Sequence, residues 1–214
     1  MRRLGLPIAL GFGKRVYAAV TGSSALRDAP DHTTLVTNLH TLRDLTRKPD
    51  PSRVAFLGQA GAGKSTIVDK LSMGRAHPRP IIGVHTDATN WAERTDVDLL
   101  CRWPGQVVAD CPGYDTRTHP VAAFVAHFPF GNFEKIILVV HGKIRAADVD
   151  IYQAIRHAGM TPLVTRSHAE SLDANDRDTV TKDLCRHLVG LQPNAVVFVS
   201  SRNGEGIDEL RSRL

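Results

Sequence analysis

The residues best suited to chemistry stand eight in a row, Gly58-Gln59-Ala60-Gly61-Ala62-Gly63-Lys64-Ser65, with Thr66 behind them. They fit the phosphate-loop pattern G-x-x-x-x-G-K-[ST]. The glycines let the backbone curl until several N–H groups point inward at phosphate oxygens. A helix that starts near Lys64 aims the positive end of its dipole at the same place. Lys64 can then reach the β- and γ-phosphates, and the Ser65 hydroxyl can ligate Mg²⁺. The chemistry expected here is capture of a polyphosphate tail by Gly58, Ala60, Gly61, Ala62, Gly63, Lys64, Ser65 and Thr66.

A second group lies in Val107-Val108-Ala109-Asp110-Cys111-Pro112-Gly113. A carboxylate at the C-terminal end of a buried strand faces the ligand crevice of an open sheet. Asp110 is therefore expected to hold the Mg²⁺ hydration shell opposite Ser65. Gly113 leaves a backbone N–H able to meet a γ-phosphate and to lose it after hydrolysis, which is how a switch loop senses a nucleotide.

Both groups need strands ahead of them and helices behind. Arg53-Val54-Ala55-Phe56-Leu57 is a short apolar run of strand type, and Ile67, Val68 and Leu71 recur at helical spacing. Residues 95–103 alternate apolar and polar, as a half-buried edge strand does. Further strands are expected at 106–109, 135–140, 162–165 and 195–200. Helices are expected at 119–127, 146–158, 175–189 and from 206 to 214. Continuous apolar strands separated by helices argue for an α/β fold, a mostly parallel sheet covered on both faces.

Residues 1–50 read as an N-terminal helical extension and residues 51–214 as the main domain, joined by the breaker-rich Lys48-Pro49-Asp50-Pro51-Ser52. Within the extension, Leu35, Val36, Leu39, Leu42 and Leu45 fall on one side of a helix that starts near Asp31. The net charge is +5, and residues 1–50 carry eight Lys/Arg against four Asp. Such a basic region could touch acidic lipid or RNA. No aromatic-interleaved basic motif points to nucleic acid, and DNA is not expected as a partner. No apolar run reaches bilayer-spanning length. Three cysteines without C-x-x-C spacing suit a reducing compartment, so the chain is expected to be cytoplasmic, with a peripheral membrane contact as an option.

Four places carry a resemblance: Gly58 to Ser65; a threonine between that loop and Asp110; Asp110-Cys111-Pro112-Gly113; and Ser200-Ser201-Arg202 followed by Asn203-Gly204-Glu205-Gly206-Ile207-Asp208-Glu209-Leu210. Over roughly residues 53–214 the chain resembles the translation-factor class of P-loop GTPases, in particular the Era-like and the immunity-related, dynamin-like members. The resemblance implies a three-layer G domain with a mostly parallel six-stranded sheet, GTP or GDP as ligand, Mg²⁺ as cofactor, and slow hydrolysis of the β–γ phosphoanhydride. It implies that a first-switch threonine gives its hydroxyl to Mg²⁺ and its backbone to the γ-phosphate. Thr86, 22 residues past Lys64, is preferred for that role over Thr89, 21 before Asp110. It also implies that Ser200, Ser201 and Arg202 bring backbone to the guanine O6. The two switches, residues 80–93 and 111–120, would present a changed surface to an effector or to a second copy.

Two departures bear on function. The family reads guanine with N-K-x-D or T-K-x-D, and the matching place here is Thr165-Arg166-Ser167-His168. Thr165 fits, and the Arg166 stem can cover a base face as lysine does. His168 replaces the aspartate that would accept two hydrogen bonds from guanine, and neutral imidazole offers one acceptor. Guanine preference is therefore expected to relax unless Glu170, two residues on, takes the aspartate's place, which leaves an ATPase or kinase on the same loop as an alternative. Tyr114 follows Gly113, where Ras-like proteins place a water-orienting glutamine. Intrinsic hydrolysis is then expected on the order of 10⁻⁴ to 10⁻² s⁻¹, or so weak that the chain works as a nucleotide-gated binding module.

Overall fold

Strand β1 (Arg53–Gly58) is buried at every residue. That burial explains its uninterrupted apolar sequence, because both of its faces are covered. In the computed structural model, which describes residues 32–83 and 89–214, β1 lies near the middle of a six-stranded sheet. The other strands are β2 (Cys101–Trp103), β3 (Gln106–Asp110), β4 (Lys135–Val140), β5 (Leu163–Arg166) and β6 (Val196–Phe198). Their order is β2-β3-β1-β4-β5-β6. All neighbours pair in parallel except β2 with β3, which form an antiparallel hairpin through Pro104 and Gly105.

The alternation along β1 assigns the two faces. Val54 and Phe56 join one apolar cluster, with Ile67, Val68 and Leu71 of α2 (Lys64–Ser72) and Ile207 and Leu210 of α6 (Ile207–Ser212). Ala55 and Leu57 join the other. That second cluster takes in α1 (Thr33–Leu45), α3 (Val121–His127), α4 (Ala146–His157) and α5 (Ala174–His187). The result is the three-layer α/β architecture expected from the strand and helix pattern.

Helix α1 is part of the compact unit His32–Leu214. Leu35, Leu39 and Leu42 are fully buried in the larger cluster, as its spacing predicts. Leu45 departs from that expectation and is 53 % exposed, because the helix ends there and the chain turns away toward β1. The edge strand is also shorter than residues 95–103. Only three residues of β3 lie opposite it in the hairpin, so the ladder covers Cys101 to Trp103 alone.

Candidate functional site

The C-terminal ends of the parallel strands converge on one edge of the sheet, where an open α/β fold places its ligands. Phe56 of β1 lies opposite Asp110 of β3, and Val140 of β4 opposite Arg166 of β5. The phosphate loop leaves β1 between these two neighbours. Gly58 must be glycine, since a Cβ there would stand 2.3 Å from the carbonyl oxygen of Val139. Gly61 and Gly63 have φ of 75° and 89°, the left-handed region that glycine enters at little cost. No side chain caps helix α2 at Gly63. The first-turn N–H groups of such a helix suit an anion. Ala62 is buried in the smaller cluster, and Ser65 and Thr66 are half-buried on the first turn.

Lys64 is buried and folds back over the loop, donating to the carbonyl oxygens of Gly58 and Gln59 at 2.9 Å each. That posture brings the ammonium to the middle of the curl. Gly113 lies against the opposite side of the loop. A Cβ on it would meet both the Cα and the N of Ala60 at 2.4 Å. An isolated parallel bridge between Gln59 and Tyr114 joins the same two segments.

Asp110 is the electrostatic centre. Neither carboxylate oxygen has a hydrogen-bond partner, and both are buried. Burial raises its pKa to about 6, although Ser65 and the Lys64 charge offset part of the rise. The Ser65 hydroxyl lies 3.4 Å from that of Thr89. A cavity of about 220 Å³ opens beside Asp110, with Thr89, Trp91 and Leu99 in its wall. The Cys101 thiol beside it is pushed up to about 12, by burial first and then by Asp110, so it stays protonated. The groups presented are thus two hydroxyls that share one hydrogen bond and a carboxylate without a partner, all oxygen. They fit a hard cation such as Mg²⁺, which keeps part of its water shell, and the cavity has room for several waters. Thr86 falls outside the described residues, so of the two candidate threonines the structure places only Thr89.

The base-reading candidates lie beside the loop. A Cβ on Gly63 would come within 4.0 Å of the Ser167 side chain. Thr165 is fully buried, with a hydroxyl that has no partner. Arg166 is 7 % exposed and donates to its neighbour's carbonyl, Ser167 O, at 2.6 Å. His168 is exposed, at φ 56°, and its ring centroid lies 4.3 Å from that of His141. Burial, and then His168 and Arg166, lower the pKa of His141, which keeps that ring neutral near pH 7. Ser200 is buried and its hydroxyl accepts from the backbone N–H of Arg202 and Asn203, which shapes the loop holding Ser201 and Arg202. Gly206 closes that loop. A Cβ there would stand 1.9 Å from Phe198 O.

No family model matches the chain, and no curated protein matches it. Solved structures do. A probable GTP-binding protein EngB superposes with a TM-score of 0.54 at 15 % identity, over 75 % of this chain and 95 % of that one. The chain has the G-domain fold of the P-loop GTPases. Era from Aquifex aeolicus, bound to GDP and aluminium fluoride, superposes at 0.56 and 18 % identity, over 75 % of this chain and 55 % of that one. Era with MgGDPNP and a segment of 16S ribosomal RNA gives 0.54 at 19 %, over 76 % and 55 %. The chain thus spans about half the length of these Era structures.

Within the G domain, one network had no signal in the sequence. Tyr114 is 1 % exposed and points into the helix layer, donating from its hydroxyl to Asp148 Oδ1 at 2.7 Å. Asp148 Oδ2 accepts from Gln59 Nε2 at 2.7 Å and from the Arg145 N–H at 2.9 Å. One buried carboxylate on α4 therefore ties the Gly58–Ser65 loop to the segment that follows β3. In sequence Asp148 looks like any acidic residue in the first turn of a helix.

Proposed function

We propose that this G domain is a Mg²⁺-dependent GTP-binding protein that hydrolyses GTP slowly and acts as a nucleotide-controlled switch. The observation that carries the reading is the Asp110 carboxylate, buried without a partner at the foot of the phosphate loop. Such a charge is costly unless a ligand completes it. Bound there, Mg²⁺ would supply neutralisation of phosphate charge. Lys64 and the loop amides bind the polyphosphate and stabilise the charge that builds as the terminal phosphoryl group leaves. Ser65, Asp110 and Thr89 present the oxygens around the cation, with Thr86 on the segment just before. The Gly113 N–H reports the γ-phosphate. Thr165, Arg166, His168, Ser200, Ser201 and Arg202 surround the base.

Tyr114 cannot turn a water toward the phosphate while its hydroxyl is held by Asp148. Intrinsic turnover is therefore slow, and acceleration comes from a partner or a second copy acting on the switches. Ile81 and Ile82 of the first switch, 61 % and 54 % exposed, suit such a contact. The same tyrosine favours a second reading, a nucleotide-gated module with almost no hydrolysis.

Calorimetry with GTP, GDP and ATP, with and without Mg²⁺, tests the first reading. Binding of GTP and GDP that needs Mg²⁺ and vanishes in Lys64→Ala supports it, and equal heats from both proteins would falsify it. Single-turnover hydrolysis above the protein-free blank, lost in Ser65→Ala, would exclude the second.

A further inference from the structure

Trp91 lies two residues after Thr89, on the C-terminal flank of the first switch, and is 1 % exposed. Both of its backbone polar groups are taken by side chains from elsewhere. Its carbonyl accepts from Asn38 Nδ2 of α1 at 2.8 Å, and the same amide reaches the carbonyl of Arg94 at 2.9 Å. Its N–H donates to His119 Nε2 at 3.1 Å. His119 closes the second switch, is fully buried, and takes an N–H···O bond to Thr116 Oγ1 at 3.0 Å. Since the Trp91 amide can only donate, His119 Nε2 must accept. Three parts of the chain that are distant in sequence thus meet at one residue.

Asn38 is an unusual residue for its place. It is fully buried on the face of α1 that carries Leu35, Leu39 and Leu42. Its Oδ1 has no partner, so the amide is kept there for its two donors. A buried polar group of this kind is costly, and a plain packing role would be served better by leucine. The two accepting carbonyls belong to the segment that holds the Thr89 hydroxyl 3.4 Å from Ser65.

We infer that Asn38 is a positioning residue for the first switch, holding Thr89 toward the phosphate loop through the Trp91 and Arg94 carbonyls. The inference rests on the nucleotide site proposed above. It makes α1 a sensor of the bound nucleotide. The arrangement with Thr89 at Ser65 is the one that a γ-phosphate and its cation favour, and Asn38 stabilises it. When the γ-phosphate goes, the Thr89 segment relaxes and the grip on α1 loosens with it. His119 carries the same information from the second switch.

The test uses the whole chain with Trp103→Phe, which leaves Trp91 as the single tryptophan of the two in the sequence. GDP and a non-hydrolysable GTP analogue are titrated with Mg²⁺, read by calorimetry and by tryptophan emission. Asn38→Leu should keep its GDP affinity within about twofold and weaken the GTP analogue roughly five- to tenfold, the worth of one or two buried hydrogen bonds. Trp91 emission, distinct for the two nucleotides before the substitution, should then coincide. An unchanged affinity ratio would overturn the inference while leaving the nucleotide site intact. Failure of the unsubstituted chain to bind either nucleotide removes the site and the inference together. If Asn38→Leu does not fold, hydrogen exchange on the unsubstituted chain decides. Amides of α1 protected more by the GTP analogue than by GDP support the coupling, and equal protection overturns it.

Discussion

The proposed phosphate end and the proposed base end of the cleft are built differently. Around Asp110 both carboxylate oxygens are buried without a hydrogen-bond partner, a charge that a ligand would complete. Around Ser200 the loop satisfies itself, its hydroxyl spent on the N–H groups of Arg202 and Asn203. Arg166 turns one nitrogen to its neighbour's carbonyl, His168 stands where the resemblance sets a carboxylate, and the Glu170 carboxyl nearby is held below its usual range, first by the Ser200 hydroxyl. The proposed phosphate end thus keeps a carboxylate unspent. At the proposed base end the unspent groups are the neutral Thr165 hydroxyl and one nitrogen of Arg166. Recognition should therefore come mostly from the polyphosphate and only weakly from the base.

Removing the ammonium is the heaviest blow to that contrast. Lys64→Ala should weaken Mg²⁺-nucleotide binding by about 100-fold or more, since a charge-assisted contact is lost in a buried site. Calorimetry measures it, and a loss under tenfold would place the affinity elsewhere.

Asp110→Asn should separate stability from function. The Asp110 pKa rises from 3.8 to about 6 in the fold. Between those values the unfolded chain has released its proton while the folded chain retains it. Stability therefore falls as pH rises through the window from about 4 to 6, and stays level above it. At about 1.4 kcal/mol per pKa unit, ionised Asp110 costs on the order of 2–3 kcal/mol in the ligand-free protein. The asparagine variant should regain that in urea unfolding at pH 7.5, lose the slope between pH 4 and 6, and lose the stabilisation that Mg²⁺-nucleotide confers. A variant less stable at pH 7.5 would show that the carboxylate has a protein partner after all.

Restoring a carboxylate at the base end tests the other half. His168→Asp should raise the preference for GTP over ATP by roughly tenfold, through hydrogen bonds that a single imidazole acceptor cannot supply. Competition titration reads it directly, and an unchanged ratio would move base recognition away from this loop. The smallest effect belongs to Tyr114→Phe. Losing one buried hydrogen bond to Asp148 should cost about 1–2 kcal/mol of stability, with single-turnover hydrolysis changed less than about twofold. A large change in rate would return the tyrosine to the reacting phosphate.

The parts of the molecule legible in its sequence were those written in local patterns. Strand β4 coincides with the apolar run 135–140, because burial on both faces leaves a continuous signature. The phosphate loop was legible because glycines at fixed offsets have few other uses. The Tyr114–Asp148–Gln59 network was not, since its members are 34 and 89 residues apart and each has an ordinary local reading. Asn38 was hidden in the same way, as one polar residue in an apolar stripe. The edge strand was overextended because alternation from 95 to 103 says nothing of how many residues a partner offers.

Gly113 lies flat against Ala60, with no space for even one more carbon. A methyl at that seam would act as a wedge, holding the two loops apart whatever occupied the cleft. The seam would then stay open, and the proposed switch would lose the contact through which its second loop meets the first.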